Sequence, residues 1–376
     1  MSTPNFLFKQ TFKAKLSWMA LTFVFLVILT CLFFNVRNQA QDTLEGDANS
    51  QVAMDTKQLH LASSHHQRPS TDVKGDLATN QNILNAIHNK NWRRAYQIQI
   101  NLYKQLLRNT IVTSNGSDSQ MIDNFKSEIN RYEALAHLNT PDQSEESPTT
   151  GISFLLYVAQ WIVPTLITFI LIFVCSHLYT KRFANQLDKA SLLPVSSSEN
   201  VTYNVITGWF IALGLLLLIL GVSFLIASIV SGTGLAKFPI ALFPDRLSYR
   251  IYIPQDKLIL PTIILNILSA FFTVNWVFLF SILTKKASTT LFFSIILLIG
   301  TNLLTPFVEP ISKMAQYLPT SYFNGVSVLT KWLAHNTENY QIDFSNGVVV
   351  LISSIILLGL ATYSLQHHRQ SQRAIN

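Results

Sequence analysis

The chain has 376 residues, of which 49% are hydrophobic and only 12% charged, against about 25% charged in an average soluble domain. That balance excludes an ordinary soluble enzyme. The formal net charge of +7 lies mostly in short connections beside apolar runs, which excludes a nucleic-acid-binding module and fits orientation in a lipid bilayer.

In chain order, residues 1–15 carry Lys9, Lys13 and Lys15 among Phe6, Leu7, Phe8 and Phe12. This basic amphipathic lead-in suits an interfacial helix at the headgroup layer. The first apolar run, 16–34, is too long for the apolar core of a signal peptide and lacks a nearby small-residue cleavage site, so it reads as an uncleaved span. Continuous apolar runs of about 20 residues indicate membrane helices rather than barrel strands.

Residues 35–153 form a polar insert. Its first half, rich in Gln, Asp, Ser and His, reads as loosely ordered. In its second half Trp92, Tyr96, Gln99, Tyr103 and Leu107 recur at three- and four-residue spacing, as do Ile122, Phe125, Ile129, Tyr132 and Ala136 beyond the breaker Asn115-Gly116-Ser117. The spacing predicts two amphipathic helices packed as a hairpin, with Trp92, Tyr96, Tyr103, Phe125, Ile129 and Tyr132 in its seam.

The second span covers 154–178 and contains Pro164, which predicts a kink. The connection 179–206 follows. It holds a compact Leu192-Leu193-Pro194-Val195-Ser196 element whose apolar residues have no reason to face water, and it reads as a socket for another protein. The third span covers 207–230, where Gly208, Gly214 and Gly221 favour close helix approach. A loop at 231–257 leads to the fourth span at 258–283, and the short connection 284–290 contains Lys285-Lys286. The fifth span, 291–305, gives way to a half-apolar stretch at 306–347 with Pro306, Pro310 and Pro319. The sixth span covers 348–365 and the tail 366–376.

With both termini cytoplasmic, the short inner pieces hold Lys9, Lys13, Lys15, Lys181, Arg182, Lys189, Lys285, Lys286, Arg369 and Arg373 against Asp188 and Glu199 alone. The positive-inside rule therefore places the insert outside the cell. The expected fold class is an all-α polytopic membrane protein with six transmembrane helices, an N-terminal interfacial helix and an extracellular helical insert.

Candidate chemistry is sparse. Gly232-Thr233-Gly234-Leu235-Ala236-Lys237 lacks phosphate-loop spacing and a following Ser or Thr. His60, His65 and His66 do not share a helix face, and Cys31 and Cys175 read as small thiols in apolar runs. No catalytic, metal or cofactor set emerges. The spans hold almost no ionisable residue besides His177, so any transport must be driven from outside the membrane domain.

The order of features resembles the permease subunit of type-2 ABC transporters. Leu192-Leu193-Pro194-Val195-Ser196 is similar to the family's element after span two, which implies a coupling helix against an ATPase. Pro319-Thr320-Ser321-Tyr322 resembles the family's Pro-x-x-Tyr element between spans five and six, which implies half-membrane helices and an extracellular gate region including Pro310, Pro319 and Tyr322. The resemblance further implies a bacterial cell-membrane exporter working with a second permease copy or homologue, and a separate ATPase subunit that holds ATP and Mg²⁺. The alternative reading is a non-transporting sensor or bacteriocin-type immunity protein whose outer helices bind a peptide.

Overall fold

The computed structural model describes residues 15–40, 42–64, 71–114, 118–184, 187–188, 197–245 and 247–375. Among these, six helices are long and apolar enough to cross a membrane: Met19–Asn38, Val163–Thr180, Val201–Ser231, Asp256–Thr284, Ala287–Leu304 and Phe344–His368. The protein is an all-α, multi-pass membrane protein. Helices are favoured because the hydrocarbon offers no partner to an open backbone N–H or C=O. The chain forms two compact units.

The first unit comprises residues 1–29, 155–226 and 258–376. Its elements include the first part of α1 (Lys15–Asn38), α7 (Thr168–Thr180), α8 (Ser197–Ser231) up to Ile226, α9 (Asp256–Thr284), α10 (Ala287–Ser294), α11 (Thr301–Leu304) and α15 (Phe344–Ile375). The second span is 72% buried and the sixth only 11%, so the second is the core of this unit and the sixth lies at its surface. Tyr179 is the centre of that core. Its ring lies 4.8 Å from that of Phe278, and its hydroxyl donates to the Asn204 carbonyl at 3.2 Å. Gly208 makes the approach possible, because a Cβ there would stand 2.0 Å from the Tyr179 oxygen. The expectation for Gly214 and Gly221 is corrected: among the described residues nothing lies within 4 Å of a Cβ at either, so neither marks a close approach there.

The helix at Gly151–Trp161 (α6) leads into a π turn over Val163–Ile167 before α7. Pro164 is the local cause, since it has no N–H to give to the α-helical ladder and its ring crowds the preceding carbonyl. Between α7 and α8 a two-residue ladder pairs β1 (Phe183–Ala184) with β2 (Leu187–Asp188). α8 begins at Ser197, so residues assigned from the sequence to the connection are already helical.

The second unit comprises residues 30–154 and 227–257. It contains α2 (Leu44–Ser64), α3 (Thr71–His88), α4 (Trp92–Ser114), α5 (Ser119–Leu138) and the hairpin β3 (Pro239–Leu242) with β4 (Ile251–Pro254). Tyr96 stacks on Tyr132 at 5.8 Å between centroids. Tyr103 lies 6.0 Å from Tyr132 and 5.8 Å from Phe125. Leu44, Ala48, Ile83 and Ile87 join the same core, and Phe238 adds to it from the second stretch of chain.

Two expectations are corrected here. The described part of the insert's first half is helical over Leu44–Ser64 and Thr71–His88, not loosely ordered, because Leu44, Ala48, Ile83 and Ile87 reach the core and its first helix is tied at its start from far away. Thr43 Oγ1 accepts the Gly46 N–H at 3.2 Å, and Asp142 Oδ2 accepts the Leu44 N–H at 3.1 Å across 98 residues. The stretch at 231–257 is not a separate loop. Asn130 donates to the Arg250 carbonyl at 3.0 Å, the Arg250 N–H donates to Ser127 Oγ at 2.9 Å, and the Arg250 side chain pairs with Glu128 and Glu145 at 3.4 and 3.5 Å.

Arg131 joins these parts. It pairs with buried Asp142 at 3.1 Å, with Glu145 at 3.5 Å and with Glu128 at 3.7 Å. Burial pushes the Asp142 carboxyl up, while Arg131 and the backbone N–H groups of Leu44 and Gln143 oppose that rise. Removing one partner of a buried pair strands the other charge at a cost of about 3–5 kcal/mol. Because Glu145 and Glu128 still face Arg131, we expect Asp142→Ala to destabilise this unit by less than that amount, and Asp142→Asn, which keeps an acceptor for the Leu44 N–H, by less again. Hydrogen exchange on the full chain in detergent checks this. The amides of Leu44–Ser64 must lose protection first, and unchanged protection in Asp142→Ala refutes the role assigned to the pair.

Candidate functional site

The stretch between the fifth and sixth spans departs most from regular helix. After α11 the chain turns at Thr305 and Pro306 and forms α12 (Glu309–Lys313), 3₁₀ turns at Ala315–Tyr317 and Pro319–Tyr322, α13 (Gly325–Leu329) and α14 (Trp332–Asn336). The breaks have local causes. Pro310 and Pro319 each stand in the first turn of a short element, where a missing N–H costs nothing. Asn324 Oδ1 accepts the Ser327 N–H at 3.0 Å and starts α13. Lys331 takes a left-handed conformation, φ 59°, between α13 and α14.

The later part of this irregular stretch is buried in protein. Thr320, Ser321, Tyr322, Phe323, Gly325, Val326, Ser327 and Val328 are all buried. Tyr322 is fully enclosed. Its hydroxyl donates to the Gln316 carbonyl at 2.8 Å, and its own carbonyl accepts from Ser269 Oγ of α9 at 3.3 Å. Burial pushes its phenol up to about 12, with the Asp343 carboxylate adding to the effect, so it remains a donor at physiological pH. Gly347, in the first turn of α15, faces the ring, and a Cβ there would lie 2.5 Å from Tyr322 Cδ1.

Further ties hold the segment. Thr301 Oγ1 donates to Thr320 Oγ1 at 3.0 Å, Phe272 and Phe323 meet edge to face at 6.1 Å, and Asn339 donates to the Ser312 carbonyl at 3.1 Å and to Gln316 Oε1. The Glu309–Lys313 pair is fully exposed. Each partner favours the other's charge, lowering the carboxyl and raising the ammonium.

The structure therefore brings Pro319 and Tyr322 together in one buried turn, and places Pro310 apart on an exposed short helix. Trp92, Tyr96, Tyr103, Phe125, Ile129 and Tyr132 belong to the core of the second unit or its immediate surroundings, where Tyr96, Ile129 and Tyr132 are buried and Trp92 is half-buried. Leu192, Leu193, Pro194, Val195 and Ser196 lie outside the described residues.

Residues of α9 that the sequence did not single out pack against the segment around Tyr322. Thr262, Asn266, Ser269 and Thr273 are buried along one face of α9 at spacings of three and four. Among the described residues the Thr262 hydroxyl, both amide atoms of Asn266 and the Ser321 hydroxyl have no hydrogen-bond partner. The spacing of these polar residues within an apolar span was the signal available. Among the described residues there is no cluster of three metal-ligating side chains. Comparison with protein-family models, characterised proteins and solved structures finds no match to this chain.

Tyr322 and Gly347 provide the test of this packing. Gly347→Val overfills the site, and we expect a loss of about 1–3 kcal/mol. Tyr322→Phe leaves the Gln316 carbonyl unpaired at about 1–3 kcal/mol while retaining the ring. Thermal unfolding in detergent, with accessibility of a cysteine at exposed Tyr317 as the local probe, checks both. A Gly347→Val protein with unchanged unfolding and unchanged labelling contradicts the close approach.

Proposed function

We propose that this chain is the permease subunit of a type-2 ABC transporter, which pairs with a second permease copy or homologue and exports a substrate under the power of a separate ATPase. The observation that carries the reading is a combination. Six apolar helices lack Asp, Glu, Lys and Arg through their middles, and a broken, buried segment built around Pro319–Tyr322 stands between the fifth and sixth.

A membrane domain with no internal charge to couple must receive work from a partner. On this reading Leu192, Leu193, Pro194, Val195 and Ser196 form the apolar knob that enters a cleft on the ATPase, while ATP and Mg²⁺ bind only to that partner. The described neighbours of this stretch are the β1–β2 ladder and the start of α8 at Ser197, so the unassigned interval is short. The segment with Tyr322 at its centre acts as the extracellular gate. The compact second unit suits the other reading, a peptide-binding sensor or immunity protein, and one experiment separates the two.

That experiment is the double variant Leu192→Asp with Leu193→Asp, compared with the natural chain. Losing one or two anchors of a small apolar hot spot costs about 2 kcal/mol or more, roughly thirtyfold in affinity. The variant should insert normally but lose co-purification with an ATPase subunit and substrate-dependent ATP hydrolysis. Undiminished coupling removes the role given to this element, and a natural chain that captures no ATPase favours the sensor.

Orientation has its own check. In a background with Cys31→Ser and Cys175→Ser, cysteines at Ser119 and Tyr317 should react with an impermeant reagent on intact cells, and one at Ser197 should react only after lysis. The opposite pattern inverts the topology.

A further inference from the structure

Spans two and five flank a cleft of about 550 Å³ in the first unit. Its wall is almost wholly apolar, with Leu291, Phe292, Ile295 and Ile296 along one side. His177 and Ser288 lie at one end of it, and Phe292 and Ile296 are exposed. Ser288 and Ile296 are eight residues apart on one helix, so the apolar wall runs about 12 Å along the helix axis. Ile295 and Ile296 belong to the π turn Ile295–Gly300, whose extra residue widens the helix.

Cations gather at the end marked by His177 and Ser288. Lys285 and Lys286 immediately precede α10, and Lys181 lies one turn beyond His177 at the end of α7. Lys181 and Lys286 are exposed and Lys285 is half-buried. Among the described residues none of the three lysines forms an ion pair. Arg182 follows, with its guanidinium 5.0 Å from the Phe183 ring.

We propose that this cleft holds one anionic phospholipid, with an acyl chain along Leu291, Phe292, Ile295 and Ile296 and its phosphate at Lys285, Lys286 and Lys181. Charge selects this occupant. A second copy of the chain would bring the same lysines against these, and a neutral lipid would leave them without a counter-charge. In the bilayer a chain gains little by moving from lipid into an apolar cleft, so selectivity resides in the headgroup, at about fivefold in affinity per lysine. The site is independent of the transport reading and stands or falls separately from it.

The test is native mass spectrometry of the full chain released from detergent carrying equal amounts of phosphatidylglycerol and phosphatidylcholine with identical acyl chains. The natural protein should retain phosphatidylglycerol preferentially. Lys285→Gln with Lys286→Gln should reduce that preference at least tenfold, whereas Leu291→Trp, which fills the groove, should reduce retention of both lipids. Thermal unfolding identifies a variant that has lost its fold, and in that event the lysine variant alone decides. Equal retention of the two lipids by the natural protein, or an unchanged preference in the lysine variant, overturns the proposal. So does displacement of the lipid by soluble glycerophosphate at similar concentration, which would mark an anion site with no use for the acyl chain.

Discussion

Hydrocarbon offers no hydrogen bond, and that constraint governs the first unit. Every backbone N–H and C=O at membrane depth must find a partner within the protein, so long α-helices are the default and any break must be enclosed. The buried part of the segment between the fifth and sixth spans, Thr320 to Val328, is enclosed in the same way. The segment's short helices and 3₁₀ turns expose carbonyls that regular helix would use, and these are met by Tyr322, Ser269 and Asn339. The same logic explains the two π turns, where Pro164 and the Ile295–Gly300 stretch alter the ladder without opening it to lipid.

The second unit is built mostly from a more polar stretch of chain, and its limited apolar content has to be supplemented. The stacked rings of Tyr96, Tyr103 and Tyr132 give α4 and α5 a substantial core, yet α2 and α3 have few apolar residues to contribute. Arg131 and Asp142 compensate by joining three parts of the chain at one buried point, with Glu128, Glu145 and Arg250 extending the network toward β3 and β4. A charged pair in such a place adds little net stability beside a well-packed apolar substitute. It does dictate which segments meet, because a wrong partner leaves a charge stranded.

What could be read in the sequence was local. Apolar runs as long as the bilayer is thick mark six helices wherever they occur, and Pro164 marks its own π turn. Tyr96, Tyr103 and Tyr132 recur at helical spacing, and that spacing alone puts them on facing stripes. α2 escaped notice because its cap, Asp142, comes 98 residues later, and because Leu44 and Ala48 are a thin stripe among polar neighbours. Phe238 and Arg250 escaped for the same reason, being partners of helices more than 100 residues upstream. At the gate segment Pro319 and Tyr322 were visible as a short pattern, whereas Gly347 gains its meaning only from the ring it faces.

The long reach of Asp142 also imposes a timetable. A ribosome adding roughly 5–20 residues per second makes the capping carboxylate about 5–20 s after Leu44, the residue it caps 98 positions earlier. Ser127, Asn130 and Glu128 wait still longer for Arg250, which follows Glu128 by 122 positions. During those seconds α2 has only the local Thr43 cap and lacks the Asp142 contact and the Arg131–Asp142 anchor, and an isolated helix of 21 residues with so few apolar contacts is marginal in water. The unit therefore completes itself only after the third span has been made, which makes its assembly a late event in the birth of the protein.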